Sequence, residues 1–247
     1  SNVLATNPLY SRVNPTVPDR LEALKEKTRD YLAHEYFNAD WAPMYFADMA
    51  RWLQPAKLDF ACSAHVLDHV DVIHLTNEQQ TFLTSLPDAH LRQTVRDFMV
   101  NQQFRKDYWV KGARKLSPLD QAESLRALRL VLVVHRPDVA MTVLGALGQA
   151  SMDAAVYTPL LDALADHQTH TLGQLEQALA ANGIVFGQLL QAVLILLGSE
   201  VLALVQDDAM VRRARPQTDR LNAHLIQKAR GSGDAGYLAS PVTGGGV

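Results

Sequence analysis

His34 and Glu35 are adjacent in the segment YLAHEYFNADWAPMYFADMARW, residues 31–52. The pair resembles the start of the zinc-protease motif H-E-x-x-H, in which two histidines four residues apart on one helix bind the same metal ion. The residue four positions after His34 is Asn38, so the second ligand is missing. We therefore interpret His34, Glu35 and Asn38 as a hydrogen-bonded polar cluster among aromatic neighbours, because buried polar groups need partners.

A second histidine group occurs in HVLDHVDVIH, where His65 and His69 are four residues apart and His74 follows. This spacing could bind zinc or a similar ion if the segment were helical. The segment is rich in β-branched residues, which disfavour a helix, and residues 59–90 contain five acidic residues and no Lys or Arg. We expect histidines in an acidic exposed loop and predict no metal ligands, while a small metalloenzyme stays open as an alternative.

Two further patterns could indicate catalysis or cofactor binding. Cys62, the only cysteine of the chain, precedes His65 by three residues, and a thiolate beside an imidazole could act as a nucleophile. A lone cysteine is more often a small buried residue. The string GSGDAG, residues 231–236, matches G-x-G-x-x-G, but that fingerprint needs a strand before it and a helix after it. We predict no catalytic residue and no cofactor bound by this chain.

Residues 92–115 contain seven basic side chains and two acidic ones, with four aromatic residues among them. Basic and aromatic side chains together are typical of surfaces that bind single-stranded nucleic acid, and this function is kept as an alternative. The interpretation that we favour is an amphipathic helix and strand whose aromatic residues face the core, or a surface for an acidic protein.

The hydrophobic periodicity predicts a mainly helical α+β fold. Residues 1–30 are predicted as a linker and connecting helix, and residues 31–136 as a small mixed α/β domain. Three predicted helices and a hairpin around Gly145 and Gly148 indicate a winged-helix-like domain over residues 137–215. A C-terminal helix from Asp219 to Ala229 and a Gly-rich tail complete residues 216–247, and the tail is expected to be mobile unless it docks.

Charge and composition limit the possible partners. The formal net charge is -3, and residues 137–211 contain eight acidic residues and no Lys or Arg. A DNA-reading helix needs cations to neutralise phosphates, so we expect the winged-helix-like domain to contact protein and not DNA. No apolar run is long enough to predict a membrane span or membrane partner, and the single cysteine is typical of a cytoplasmic protein.

Several longer strings carry a family resemblance: YLAHEYFNADWAPMYFADMA, LTNEQQTFL, LRQTVRDFMVNQQFRKDYWVKGARKLSP and LASPVTGGG. They resemble the regulatory region that follows the catalytic domain in certain bacterial S-adenosylmethionine-dependent methyltransferases. Residues 31 to about 115 look like the methyltransferase regulatory domain. The remainder looks like the C-terminal winged-helix domain of protein-lysine methyltransferases that modify bacterial outer-membrane proteins.

The resemblance implies that S-adenosylmethionine and the methyl-transfer chemistry belong to a catalytic domain expected to be absent here. This chain would then be a non-catalytic regulatory and substrate-docking module whose partners are that catalytic domain and a protein substrate. The residues predicted to dock the domain or substrate are His34, Glu35, Tyr36, Asn38, Trp41, Tyr45, Arg105, Lys106, Trp109 and Lys111.

Overall fold

The computed structural model describes residue 6, residues 8–231 and residues 236–246, and within them the fold is α+β and mainly helical, as predicted. The chain divides into two compact units, Ser1–Tyr45 and Phe46–Val247. This division differs from the boundaries expected from composition at residues 30, 136 and 215, which stay predictions about sequence organisation.

The described residues of the first unit form three helices: α1 (Leu9–Val13), α2 (Thr16–Lys25) and α3 (Arg29–Tyr36). The sequence pattern predicts one helix running from residue 20 to Glu35, and this prediction is wrong. Thr28 takes an extended conformation, and its hydroxyl accepts the backbone N–H of Tyr31 at 3.2 Å, so it caps α3 as a separate helix. None of the described residues in this unit is buried.

The second unit begins with a small layered region. Helices α4 (Phe46–Leu53), α5 (Asn77–Ser85) and α6 (Ala89–Val100) accompany the antiparallel strands β1 (Leu58–Ser63) and β2 (Asp107–Lys111), which pair Phe60 with Trp109. Side chains at their N-termini start two of these helices. Thr76 and Gln79 form a reciprocal capping box for α5, and Asp88 accepts the N–H of Leu91 to start α6. Between β1 and α5, residues 66–73 form two short 3₁₀ turns, consistent with the helix-disfavouring sequence there.

The described residues of the rest of the second unit form five helices and five short strands: α7 (Pro118–Arg126), β3 (Arg129–Leu132), β4 (Thr142–Gly145), β5 (Gly148–Ser151), α8 (Ala154–Ala163), β6 (His170–Thr171), α9 (Leu172–Leu179), α10 (Phe186–Gly198), β7 (Leu202–Leu204) and α11 (Asp208–Ala229). Strand β3 lies between β6 and β7, and both pairings are antiparallel. Strands β4 and β5 form the predicted hairpin around Gly145 and Gly148. The prediction that the last helix begins at Asp219 is wrong, because α11 begins eleven residues earlier and continues through Pro216.

The hydrophobic core lies in this second part. Leucines on β3, α8, α9 and α10 are 0% exposed, including Leu130, Leu160, Leu172 and Leu196. Helix α10 buries residues on more than one side, as its uncharged and almost wholly apolar sequence predicts. The 3₁₀ segment 66–73 contributes three side chains to the same core, so the layered region and the C-terminal elements share one interior. The helices and hairpin occur in the expected order, and the winged-helix assignment itself stays a prediction.

The C-terminal residues 238–246 dock on the end of α11 and on the segment after β7. The Asn222 side chain donates to the Ala239 carbonyl and accepts the Ala239 N–H, both at 2.8 Å, and the backbone N–H of Gln206 donates to the Val242 carbonyl. The tail is therefore held by side-chain and backbone hydrogen bonds. In the part of the chain that the structure describes, no helix is both long and apolar enough to cross a bilayer.

Candidate functional site

The aromatic residues of the first unit lie on its surface. Tyr31, Tyr36, Phe37, Trp41 and Tyr45 are all exposed, with Phe37 at 79% and Trp41 at 60%. Large aromatic side chains are usually buried in cores or interfaces, because each can remove 150–250 Å² of surface from water. Five of them within fifteen residues therefore form an unusual exposed apolar surface, which we call the aromatic surface.

The polar cluster predicted in the same segment is not buried. His34, Glu35 and Asn38 are exposed, as are the other predicted docking residues of this unit. The Asn38 amide donates to the backbone carbonyl of His34 at the end of α3. Among the described residues, the side chains of His34 and Glu35 form no hydrogen bond or ion pair. The predicted cluster therefore consists of one hydrogen bond, from the Asn38 side chain to the backbone of His34. The docking role of these residues stays a prediction.

In the second unit an arginine lies against an aromatic cluster. Phe46 and Trp109 stack with centroids 5.5 Å apart, and Phe60 meets Phe46 edge to face at 4.9 Å. The Arg105 guanidinium lies 4.4 Å from the Phe46 ring centroid, within the range of a cation–π interaction. The register that pairs Phe60 with Trp109 places both rings on the same face of the strand pair, where α4 supplies Phe46.

The same guanidinium donates hydrogen bonds to three side chains. Arg105 donates to Asp97 at 2.7 Å, to Asp107 at 2.9 Å and to Gln93 at 3.1 Å, and its side chain is 18% exposed. Burial raises the pKa of Asp97, and the ion pair with Arg105 opposes that shift. Two of the predicted docking residues, Arg105 and Trp109, are therefore engaged inside the chain and hold β2 against α4 and α6.

The other two predicted docking residues of this unit, Lys106 and Lys111, are exposed on or beside β2. The remaining basic residues of the stretch divide in the same way. Arg92 donates to the Leu86 carbonyl, and Arg96 donates to the Asp68 carbonyl at 2.8 Å. Arg92, Arg96 and Arg105 therefore form hydrogen bonds inside the chain and do not contribute to a continuous basic surface. The exposed basic residues of 92–115 are Lys106, Lys111, Arg114 and Lys115.

A polar cleft of about 240 Å³ opens beside the arginine. The Ser63 hydroxyl donates to Asp68 at 2.6 Å, and its backbone carbonyl lies 2.9 Å from His69 Nε2. The backbone N–H of His65 donates to the Ser63 hydroxyl at 3.1 Å, while among the described residues no histidine ring forms a hydrogen bond to that hydroxyl or to the half-buried thiol of Cys62. Ser63 thus links Asp68, His65 and His69 by hydrogen bonds at one side of the cleft. The lining includes Ser63, Asp68, His69, Arg96, Asp97 and Arg105.

The histidines of residues 65–74 bind protein groups individually. His65 Nδ1 lies 3.4 Å from Asp68, and His74 uses both ring nitrogens, accepting the Ala146 N–H at 3.1 Å and contacting the Leu67 carbonyl at 3.1 Å. Within the described ranges, no three His, Cys, Asp or Glu side chains come together as metal ligands. Of the string GSGDAG, residues 232–235 lie outside the described residues.

A joint between the 66–75 segment and the C-terminal elements could not be predicted from residue patterns. The Leu147 N–H donates to the Ile73 carbonyl at 3.2 Å, and a Cβ on Gly145 would collide with that same carbonyl. A Cβ on Gly198 would come within 2.5 Å of Leu67. The only sequence signals were the two glycines themselves, because close approach of two segments leaves no room for a side chain.

Residues 28–111 match the family described as a predicted methyltransferase regulatory domain. An uncharacterized protein of Synechocystis sp. is 37% identical to this chain over 238 residues, which cover 96% of this chain and 47% of the relative. The chain thus spans about half the length of that relative.

Two solved structures of PKMT2 from Rickettsia typhi are also similar. One aligns with 13% identity and a TM-score of 0.49 over 75% of this chain and 40% of that protein. The other, a complex of that protein with AdoHcy, aligns with 12% identity and a TM-score of 0.49 over 80% of this chain and 41% of that protein.

Proposed function

We propose, from the match of residues 28–111 to a predicted methyltransferase regulatory domain, that the chain is a non-catalytic module that docks a methyltransferase catalytic domain and a protein substrate. In this proposal S-adenosylmethionine binds the catalytic domain, and this chain supplies contacts that orient the domain and its substrate. The winged-helix-like part contacts protein, and the complex acts in the cytoplasm.

The observation that carries the proposal is the surface of the first unit. Its three helices have no buried residue among those described, and its aromatic residues are exposed from Tyr31 to Tyr45. A helix that forms in water generally depends on packing of an apolar face, and short isolated helices are marginal. An exposed apolar surface of this kind is typical of a protein interaction site. We assign it to the catalytic domain because the family match begins at residue 28, within the same segment.

The second unit supports the proposal with a separate exposed surface on β2. Tyr108 is exposed, while the adjacent Trp109 packs inward against Phe46. Successive side chains on a strand point to opposite faces, so Lys106 lies on the outward face with Tyr108, whereas Lys111 is exposed at the end of the strand on the face of Trp109. In the proposal, Lys106 and Lys111 contact an acidic part of the partner, and Arg105 keeps the strand in place.

Isothermal titration calorimetry tests whether this chain binds the cofactor. The chain titrated with S-adenosylmethionine is expected to give no measurable heat of stoichiometric binding. Tight one-to-one binding would overturn the non-catalytic assignment, since it would place the cofactor site within these residues.

A binding experiment tests the docking surface. The probe is the part of the Synechocystis relative that lies outside the region matched by this chain. We expect the double variant Trp41→Ala and Tyr45→Ala to weaken binding by about tenfold or more, because buried aromatic residues dominate interface energies. The matched control is Phe82→Ala, which removes an exposed aromatic ring from α5 in the second unit. Equal binding by the double variant and the parent chain would remove the aromatic surface from the proposal.

A further inference from the structure

The exposed side of α11 is strongly basic. Residues 212–230 contain six Lys or Arg residues and one acidic residue, Asp219. This basic segment directly follows residues 137–211, which contain no Lys or Arg. All six basic residues are exposed, and among the described residues none of them forms an ion pair or a side-chain hydrogen bond: Arg212, Arg213, Arg215, Arg220, Lys228 and Arg230.

Helical geometry separates this basic side from the side that packs. The half-buried residues of the helix recur at three- and four-residue spacing and form one stripe: Val211, Ala214, Thr218, Asn222 and Leu225. At 100° per residue, Arg213 and Arg220 lie on the opposite side of the helix, Arg212 and Lys228 lie at its two edges, and Asp219 lies about 20° beyond Arg212. From Arg212 to Arg230 the row extends over roughly 27 Å at 1.5 Å per residue. Of the six, only Arg212 and Arg215 are three or four residues apart, and the charge of Arg212 also acts on Asp208 at the start of α11.

We propose that this basic face of α11 is a docking surface for a second protein that presents an acidic surface. The face is defined by Arg212, Arg213, Arg220, Lys228 and Arg230. The inference is independent of the proposed function, because it uses neither the aromatic surface nor the family match.

Two observations favour an acidic protein over nucleic acid. Met210 and Leu221 are 51% and 48% exposed, and helical geometry places both at one edge of the basic face. Arginine and methionine are enriched at protein interfaces, where apolar contacts accompany the charges. In addition, the chain has a net charge of -3 and eight acidic residues in residues 137–211, so an extended polyanion would be repelled beyond the helix. A protein surface of limited extent avoids that repulsion.

Fluorescence anisotropy with two labelled probes tests the proposal. One probe is an amphipathic helical peptide with glutamates on one face and leucines along its edge, and the other is a duplex DNA of random sequence. We expect the peptide to bind more tightly than the DNA at physiological ionic strength. The double variant Arg213→Glu and Arg220→Glu is expected to weaken peptide binding by about tenfold or more, because each reversal replaces an attraction by a repulsion.

The control is Arg114→Glu and Lys115→Glu, which changes the net charge equally at two other exposed basic positions. This control is expected to bind the peptide as the parent chain does. A neutral pair, Arg213→Gln and Arg220→Gln, with circular dichroism and thermal unfolding, separates loss of charge from loss of α11. Three results would overturn the proposal: DNA binding tighter than peptide binding, no binding of the peptide, or equal weakening by the control variant.

Discussion

Both units of the chain form helices, but they place their apolar side chains differently. The first unit exposes Phe37 and Trp41 and buries no described residue. The second unit buries leucines completely in a core that extends from the 66–73 segment to β7. Burial of an apolar side chain contributes about 1.5–3 kcal/mol, so the free energy of folding must come almost entirely from the second unit.

This difference indicates what each region requires to be stable. The second unit contains its own interior, with β3 held between β6 and β7 and α10 packed on more than one side. Of the described helices of the first unit, only α3 has a side-chain cap at its N-terminus, and the described residues of this unit lack an interior. Local hydrogen bonds such as the one from the Tyr31 N–H to Thr28 fix helix boundaries, but they contribute only about 1 kcal/mol each. In the proposed function the first unit contacts a partner, so its substitutions should affect binding more than stability.

Truncation of a buried leucine in the second unit is expected to have the largest effect on the free energy of unfolding. Leu196→Ala removes a side chain that is 0% exposed in α10, and we expect the free energy of unfolding to fall by about 2–5 kcal/mol because a cavity is left behind. Leu21→Ala on α2 makes the same chemical change in the first unit, where the residue is exposed. We expect that variant to change the free energy by no more than about 0.5 kcal/mol. Urea unfolding followed by circular dichroism measures both, and equal losses would contradict the contrast.

The next effect concerns the polar interior of the layered region. Arg105→Ala leaves the carboxylates of Asp97 and Asp107 without their shared partner in a poorly hydrated place. Removing one partner of a buried ion pair is destabilising, and we expect a loss of about 3 kcal/mol in the free energy of unfolding. The variant should also raise the pKa of Asp97 further, since the opposing charge is gone.

Arg114→Ala provides the control for that prediction, because Arg114 is an exposed arginine of the same basic stretch. Its expected effect lies within about 0.5 kcal/mol. Chemical denaturation gives the stabilities, and carboxyl chemical shifts followed through an acid titration give the pKa of Asp97. An Arg105 variant as stable as the Arg114 variant would show that Arg105 does not hold the layer together.

The third prediction concerns the joint within the second unit, where Gly145 lies against the Ile73 carbonyl. Gly145→Ala places a methyl group against the Ile73 carbonyl, so the hairpin must shift, and we expect a loss of about 1–3 kcal/mol. Gly187→Ala is the matched control on α10, where no atom lies within 4 Å of the added carbon. That change should stabilise the chain by about 0.5–1 kcal/mol, because glycine is entropically costly inside a helix. Opposite signs in thermal unfolding would support the joint, whereas a neutral Gly145 variant would argue against it.

Much of the second unit could be predicted from the sequence because its signals are local. The hairpin of β4 and β5, the helices around residues 154–198 and the burial of α10 follow from periodicity, turn glycines and the absence of charge. Helix boundaries were less predictable where two local preferences compete. Thr28 lies in an apolar helical stripe but caps a new helix, and Pro216 is a helix breaker that α11 tolerates.

The candidate site was predictable only in composition. The basic and aromatic residues of 92–115 were identified, but their pattern did not indicate which would turn inward, because that depends on the register of β1 with β2 and on Phe46 from α4. Arg105 carries the same local signal as Lys106, and only tertiary contacts distinguish them. The exposure of the aromatic surface was equally hidden, since a stripe of aromatic residues at helical spacing is typical of a core.

The smallest expected effect is a pH dependence of the joint at His74. Burial lowers the pKa of His74 below its ordinary value of 6.5, Arg96 adds to this shift, and Asp68, Asp71 and the Leu67 carbonyl oppose it. The neutral ring accepts the Ala146 N–H at Nδ1, and a proton on that nitrogen would abolish the hydrogen bond.

Because the folded state disfavours the charged ring, the unfolded chain binds more protons as the pH falls through 6.5. The contribution of His74 is therefore complete above pH 6.5 and declines below it, toward the lowered pKa of the folded state. One neutral hydrogen bond contributes about 0.5–1.5 kcal/mol, which limits the size of the effect. Urea unfolding at pH 7.5 and 5.5 measures it, with His74→Gln as the comparison, since glutamine does not titrate in this range. We expect the parent chain to lose more stability on acidification than the variant. Both chains contain the other histidines, so the contribution of those residues cancels in the difference. An identical loss in the two chains would mean that the joint does not sense the charge of His74.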